Sequence, residues 1–288
     1  MNSILKNHRS TFSRYWPLVK SLQTGLLTAT GLAGFMSARC PVLNLPLLIG
    51  LTVSLLASIS GSTILNMWWD RDIDSRMSRT CQRPLPTGTV TPNQALRAGL
   101  LFSVGGVALA AALDPLYGLL IFAGLFFDVV VYSIWLKRRT CWSIVWGGIS
   151  GAMPVLAGRT LGLGFIDWIG IVLALGVIFW IPTHILTFSL RYDADYRAAG
   201  VPTFVSTYGP AATRLTIAIS SVLAALAMGL AGWGIGMNWG FLRLLGVLSG
   251  GLLLLALVMI FRPSERVSFG LFKYASLYML YAMFLMIL

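Results

Sequence analysis

Asn66 to Gly88 reads NMWWDRDIDSRMSRTCQRPLPTG, and the rest of the chain takes its meaning from this stretch. Three of the nine acidic residues and four of the twenty-one Lys and Arg fall here, between long apolar runs. On a helix Asn66, Asp70 and Asp74 stand at i, i+4 and i+8, so a carboxamide and two carboxylates project from one face on consecutive turns. Carboxylates one turn apart repel each other unless a cation lies between them. All-oxygen donors of this kind suit Mg²⁺, which keeps several waters and bridges to substrate phosphates. Arg71, Arg76, Arg79 and Arg83 alternate with the acids, and guanidinium groups take phosphate oxygens two at a time. A Mg²⁺-diphosphate is a ligand that uses both signs at once. The alternative is a membrane-surface loop whose arginines merely pair with neighbouring aspartates; the regular ladder led by Asn favours a site.

Hydrophobic residues make up 57% of the chain and charged residues 10%, with a mean hydropathy of +0.81. A soluble globule carries about 25% charged residues, so the chain belongs in a lipid bilayer. The net charge of +12 does not imply nucleic acid, because the basic residues are spaced between apolar runs and form no patch or tail. Cys40, Cys81 and Cys141 show no metal-binding or disulfide spacing. Residues 1–20 are basic and polar with no apolar core, and read as a cytoplasmic tail preceding one polytopic membrane domain over 21–288.

Apolar windows of about twenty residues give nine expected spans, at 21–39, 43–65, 95–113, 115–136, 142–159, 166–190, 211–235, 240–261 and 270–288. The first, third and fifth are rich in Gly, Ala, Ser or Thr, which favours close helix packing over lipid exposure. With the N-terminus inside, every Lys and Arg except Arg39, Arg159 and Arg243 falls in a cytoplasmic segment. This satisfies the positive-inside rule and places the Asn66–Gly88 stretch at the cytoplasmic face.

A second acidic pair, Asp193 and Asp195 in RYDADYRAAGVP, follows the sixth span on the same side, with Arg191 beside it as a further substrate contact. Two facing acidic loops can hold metal ions at both ends of one diphosphate; alternatively the pair caps the helix end and balances Arg191 and Arg197. After the fourth span YSIWLKRRTCW supplies Lys137, Arg138 and Arg139 for an anionic leaving group, with Tyr132 one to two turns below. Any membrane protein can carry such a cluster on its inner face. Asp128 lies within a span, where a carboxylate costs roughly 2.5–3.5 kcal/mol, and at i−4 to Tyr132 it is expected to share that residue's face. His184 lies two residues past Pro182 in FWIPTHILTFSL; a ligand contact and a hydrogen-bonded structural role are both open for it.

Taken together, NMWWDRDIDSRMSRTCQRPLPTG, YSIWLKRRT and FWIPTHILTFSLRYDADYRAAGVP resemble successive signature segments of the UbiA superfamily of intramembrane prenyltransferases, over roughly residues 60–210. DRDIDSRMSRT with RPLPTG, and Tyr132 followed five residues later by Lys-Arg-Arg-Thr, resemble its heme-farnesylating subgroup. The resemblance implies an all-α integral membrane protein of nine transmembrane helices around a central cavity, in a bacterial or archaeal cytoplasmic membrane. It implies Mg²⁺, an isoprenoid diphosphate donor such as farnesyl diphosphate, and heme B as acceptor. By motif position Asn66, Asp70 and Asp74 would hold metal and diphosphate, Lys137 and Arg138 would contact the diphosphate near Tyr132, and Asp195 would belong to the second acidic loop. Three features depart from the pattern: the acids are spaced Asp193-x-Asp195, His184-Ile-Leu stands where the subgroup has His-Phe-Trp, and TFVSTYG follows AGVP. An aromatic, chlorin or lipid acceptor, chain cyclisation, and a transporter are the competing functions.

Overall fold

The computed structural model describes residues 15–38 and 44–288. Most of the expected tail, with Lys6, Arg9 and Arg14, lies outside the described residues, as do Arg39 and Cys40. The described chain forms long helices and no strand: α1 Ser21–Ser37, α2 Leu45–Trp69, α3 Pro92–Leu113, α4 Pro115–Phe126, α5 Ser143–Leu163, α6 Trp168–Arg191, α7 Phe204–Ile235, α8 Trp239–Phe261 and α9 Glu265–Leu285. Short helices Arg71–Arg76 and Asp193–Ala198 follow α2 and α6.

The helix starts are written locally. Asn44, Thr91, Asp114, Asp167, Thr203, Asn238 and Ser264 each accept a backbone N–H of the first turn at the head of α2, α3, α4, α6, α7, α8 and α9. Such caps contribute about 1 kcal/mol each. The same seven helices, α4 counted through Leu136, are long and apolar enough to cross a membrane, and the chain is an integral membrane protein.

The other two long helices follow a different logic. α1 has 17 residues, and α5 is buried at Ala152 and from Pro154 to Thr160. They pack through glycine: a Cβ on Gly158 would lie 1.9 Å from Gly31 O, and one on Gly34 would lie 2.1 Å from Val155 O. Only backbone that lacks side chains can approach so closely.

Two irregularities interrupt the regular α-helical turns. α4 passes at Phe127 into a π-helix that runs to Leu136, closed by Lys137 N donating to Tyr132 O at 2.8 Å. Within α7, Gly209 takes φ +80° ahead of Pro210 and kinks the helix; the expected span at 211 begins beyond that kink, seven residues after the helix itself.

Candidate active site

Asp70 does not lie inside α2. It is the residue between α2 and the short helix Arg71–Arg76, with φ −86° and ψ 7°. The ladder nevertheless continues across the break, because Asp70 N donates to Asn66 O at 2.9 Å and Asp74 N donates to Asp70 O at 2.8 Å. Asp70 and Asp74 are each only 4% exposed, so both carboxylates face the protein rather than lipid.

The face of α2 that leads to Asp70 meets the π-helix and the residue that follows it. Asn66 Nδ2 donates to Asp128 Oδ2 at 2.7 Å, Ser133 Oγ donates to Asn66 Oδ1 at 2.8 Å, Ser62 Oγ donates to Asp128, and Lys137 Nζ donates to Asp70. Ser62, Asn66 and Asp70 recur every four residues along α2. Their partners Asp128, Ser133 and Lys137 recur at steps of five and four, a phase the wider π-turn permits. Asp128, an acid inside a span, is therefore stabilised by two hydrogen-bond donors. Tyr132 does not share these contacts; its ring lies beneath Lys137, with Nζ 5.6 Å from the centroid.

Beyond Asp70 the second carboxylate has its own cation. Arg83 Nη1 donates to both oxygens of Asp74, at 2.9 and 2.8 Å. Arg138 forms a fork on Asp72, at 2.8 and 2.7 Å, and reaches Trp69 O. Its guanidinium holds the Asp72 carboxyl below the usual range. For Lys137, burial acts to lower the ammonium, but Tyr132 and the Asp70 carboxylate outweigh it and leave the group above its ordinary value. Arg71 turns back to Trp68 O at 2.7 Å, capping α2.

The two acidic loops meet. Asp195 accepts Ser78 Oγ at 2.8 Å and Arg79 N at 3.4 Å, and Ile73, Met77, Ala199 and Val201 close the seam beneath them. Asp193 pairs with Arg197 at 2.7 Å, which is the charge-balancing role that the sequence left open for it, and it caps neither helix end; Arg191 instead lies over the rings of Phe269 and Tyr192. Contacts between Arg138 and Asp72, and between Ser78 and Asp195, bring the loops after α2, α4 and α6 to one end of the bundle. His184 lies apart from the ladder, on the seam between α6 and α9.

One polar atom is conspicuous: Asp70 Oδ1 is buried and has no hydrogen-bond partner. An unpartnered carboxylate oxygen between a Lys and an Asp–Arg pair is a free hard ligand, and it fits Mg²⁺. Among the described residues no group of three or more His, Cys, Asp or Glu could hold a metal by itself. A metal held at Asp70 would need further oxygen ligands from outside the protein, which Mg²⁺ ordinarily takes from water and phosphates.

Sequence reasoning missed Ser62, Ser133 and Lys20. The serines carry no signal apart from their phase relative to Asn66 and Asp128. Lys20, at the head of α1, takes the left-handed conformation with φ +48°, and its segment is tied to α2 by Thr63 Oγ1, 3.2 Å from Val19 O. Burial first, then repulsion from Arg83 and Lys137, push its ammonium down to about 8. Below Asp128 a cavity of about 90 Å³ opens between α1, α2, α4 and α5, lined by Gln23, Leu27, Leu55, Ser58, Ser62 and Met153 among others.

The model of the UbiA prenyltransferase family matches residues 27–285. The chain belongs to that family. This UbiA chain is a prenyltransferase similar to curated protoheme IX farnesyltransferases. It is 41% identical over 206 residues to that of Korarchaeum cryptofilum, covering 72% of this chain and 69% of the relative. It is 34% identical over 281 residues to that of Methylorubrum extorquens, covering 93% and 86%. Its fold is that of solved UbiA-type proteins: a digeranylgeranylglyceryl phosphate synthase (TM-score 0.79, 15% identity, 96% of this chain and 97% of that one), and a UbiA homologue of Archaeoglobus fulgidus bound to GPP and Mg²⁺ (TM-score 0.67, 17% identity, 95% and 99%).

Proposed function

We propose that this UbiA chain transfers the farnesyl group of farnesyl diphosphate to heme B, giving heme O, in a Mg²⁺-dependent reaction. The observation that carries the reading is the buried ladder of Asn66, Asp70 and Asp74, with one free carboxylate oxygen and a cation beside each acid. The named relatives support the acceptor, and a solved structure of the fold with GPP and Mg²⁺ supports the donor and the metal. In this reading residues 21–288 form a single domain of nine spans, α1 and α5 included, with the N-terminus and the ladder at the cytoplasmic face of a bacterial or archaeal membrane.

Asp70 and Asp74, with Asn66 beside them and Asp193 and Asp195 at the far end, would hold Mg²⁺, whose chemistry when bound would be to offset negative charge on the departing diphosphate. The chain's own cations do the rest. Lys137 and Arg83, released from Asp70 and Asp74, turn to the diphosphate oxygens, with Arg71, Arg79 and Arg138 at the rim. Charge developing on that oxygen meets fixed ammonium and guanidinium groups in a site of low dielectric. Tyr132 offers its ring face toward the allylic cation, and the helix lining excludes water from it. A vinyl carbon of the acceptor bonds to C1 as the C1–O bond breaks; water then adds to the resulting porphyrin-side cation and loses a proton.

The test is turnover by purified protein given farnesyl diphosphate with either heme B or 4-hydroxybenzoate, with Mg²⁺ or with excess EDTA. Hydroxyethylfarnesyl porphyrin formed only with heme B and Mg²⁺ is the expected result. Prenylated 4-hydroxybenzoate, or turnover unaffected by EDTA, overturns the acceptor or the metal respectively.

A further inference from the structure

Along the seam between α6 and α9 the aromatic rings form a continuous stack. His184 lies between Trp180, at 4.9 Å and 20°, and Phe272, at 4.5 Å and 22°. Toward the end of the bundle that carries the acidic loops, Phe269 stacks on Phe272 at 9°, and Phe188 and Tyr192 continue the cluster at tilts of 40° and 44°. Three cations then border it: Arg79 lies 4.9 Å from the Phe188 centroid, Arg191 lies 4.2 Å from that of Phe269, and Lys273 lies 4.5 Å from the same ring. Among the described residues none of the three is paired with a carboxylate.

The hydrogen bonding of His184 engages Nδ1 alone. Ser276 Oγ donates its one proton to Phe272 O at 3.0 Å, the back-bond common in helices. With the Ser276 proton on Phe272 O, the 3.2 Å contact with His184 Nδ1 takes an Nδ1–H from the histidine. Nε2 is left with its lone pair, and no described residue hydrogen-bonds to it. A neutral imidazole whose Nδ1–H is held by an acceptor while Nε2 stands free is the arrangement in which histidine binds a metal.

The geometry points to a metalloporphyrin site, in which His184 Nε2 ligates the iron and Arg79, Arg191 and Lys273 take the propionate carboxylates. This rests on the heme reading and adds to it where the acceptor is held. His184 and Arg191 are seven residues apart on one helix, about 10 Å along the axis, a separation that suits the span from a porphyrin metal to its propionate ends. The flat aromatic edges between them offer the ring an apolar surface. Arg79 joins this site to the ladder, since its backbone N–H donates to Asp195 in the second acidic loop.

Titration of heme B and of iron-free protoporphyrin IX into the full-length detergent-solubilised protein tests the site, read by absorbance and by resonance Raman spectroscopy. Wild-type protein is expected to show an iron–histidine band in the ferrous state that shifts with ¹⁵N-labelled histidine. His184→Ala loses that band and roughly tenfold or more in heme affinity, keeps its affinity for iron-free porphyrin, and regains a nitrogen ligand with added imidazole. Arg191→Gln with Lys273→Gln weakens both porphyrins alike and keeps the band. Heme bound by wild-type protein without an iron–histidine band overturns the inference and leaves the heme reading standing. So does a band that survives His184→Ala. Failure of wild-type protein to bind heme at all, while it consumes farnesyl diphosphate with another acceptor, overturns both. Because the band is read in wild-type protein, a variant that does not fold cannot hide the answer.

Discussion

Asn66 and Asp128 are joined by a 2.7 Å hydrogen bond from the carboxamide Nδ2 to the carboxylate Oδ2, which ties the ladder of α2 to the π-helical end of α4. Asp128 accepts from both Asn66 and Ser62, so in the proposed reaction it acts as a positioning residue for the ladder, with the chemistry assigned to Asp70 and Asp74. Asp128→Ala strands two donors, at a cost of about 1–3 kcal/mol for each that stays buried and unpaired. The expected outcome is a lower melting temperature and a weaker apparent Mg²⁺ affinity. Asp128→Asn, which keeps the volume and can re-form one bond, recovers most of the stability and only part of the metal affinity. Equal metal affinity in Asp128→Ala and wild-type protein refutes the positioning role.

Asp70→Ala and Asp74→Ala each lower turnover by about a thousandfold or more, the several kcal/mol of charge stabilisation that a metal ion supplies. Both variants are expected to insert into the membrane, since neither side chain faces lipid, and to melt lower than wild type because Lys137 or Arg83 loses its partner. Excess EDTA reduces wild-type protein to the same residual rate and has no further effect on the variants. A variant that keeps more than a tenth of the activity in EDTA removes the metal from the mechanism.

Much of this arrangement was legible in the sequence. Spacing at i, i+4 and i+8 survives the break at Asp70 because the backbone hydrogen bonds of Asp70 and Asp74 continue the helical turn. Hydropathy located the long helices, and of the three spans rich in small residues α3 is an apolar span with most of its residues unburied, whereas α1 and α5 pack closely on each other through glycine. The partner of the ladder was not legible. Ordinary helical phase puts Tyr132 on the face of Asp128, whereas the π-helix advances that face to Ser133 and then Lys137, and no side chain in FDVVVYSIWL announces the change. Lys20 was equally hidden. Its left-handed backbone and its place beside Arg83 come from a tie to Thr63 across forty-odd residues, which no local pattern records.

In the proposed reaction Lys20 is expected to give the donor site a pH dependence. The free protein holds its ammonium down to about 8, through burial and then the repulsion of Arg83 and Lys137. Below that value the group is charged and adds one cation to the diphosphate site. As pH rises through it the charge is lost, so affinity for the anion falls by at most about tenfold per unit. Binding of a non-hydrolysable farnesyl diphosphate analogue, followed from pH 6.5 to 9.5, is expected to weaken on the alkaline side in wild-type protein. Lys20→Met binds more weakly at neutral pH and shows a flatter alkaline limb; an unchanged limb in the variant assigns the titration to another group.

The Lys137–Asp70 pair separates stability from catalysis. The two side chains are 19% and 6% exposed, and breaking such a pair by removing one partner strands a buried charge, at a cost of about 3–5 kcal/mol. Lys137→Met therefore destabilises the fold strongly, because the Asp70 carboxylate is left without its cation. Adding Asp70→Asn to Lys137→Met removes the stranded charge and restores most of the melting temperature. It does not restore turnover, since the double variant lacks both a metal ligand and a diphosphate contact. If the double variant melts as low as Lys137→Met alone, the loss lies in packing around the π-helix end and the electrostatic account of the pair is wrong. If it regains activity along with stability, then neither group belongs to the reaction.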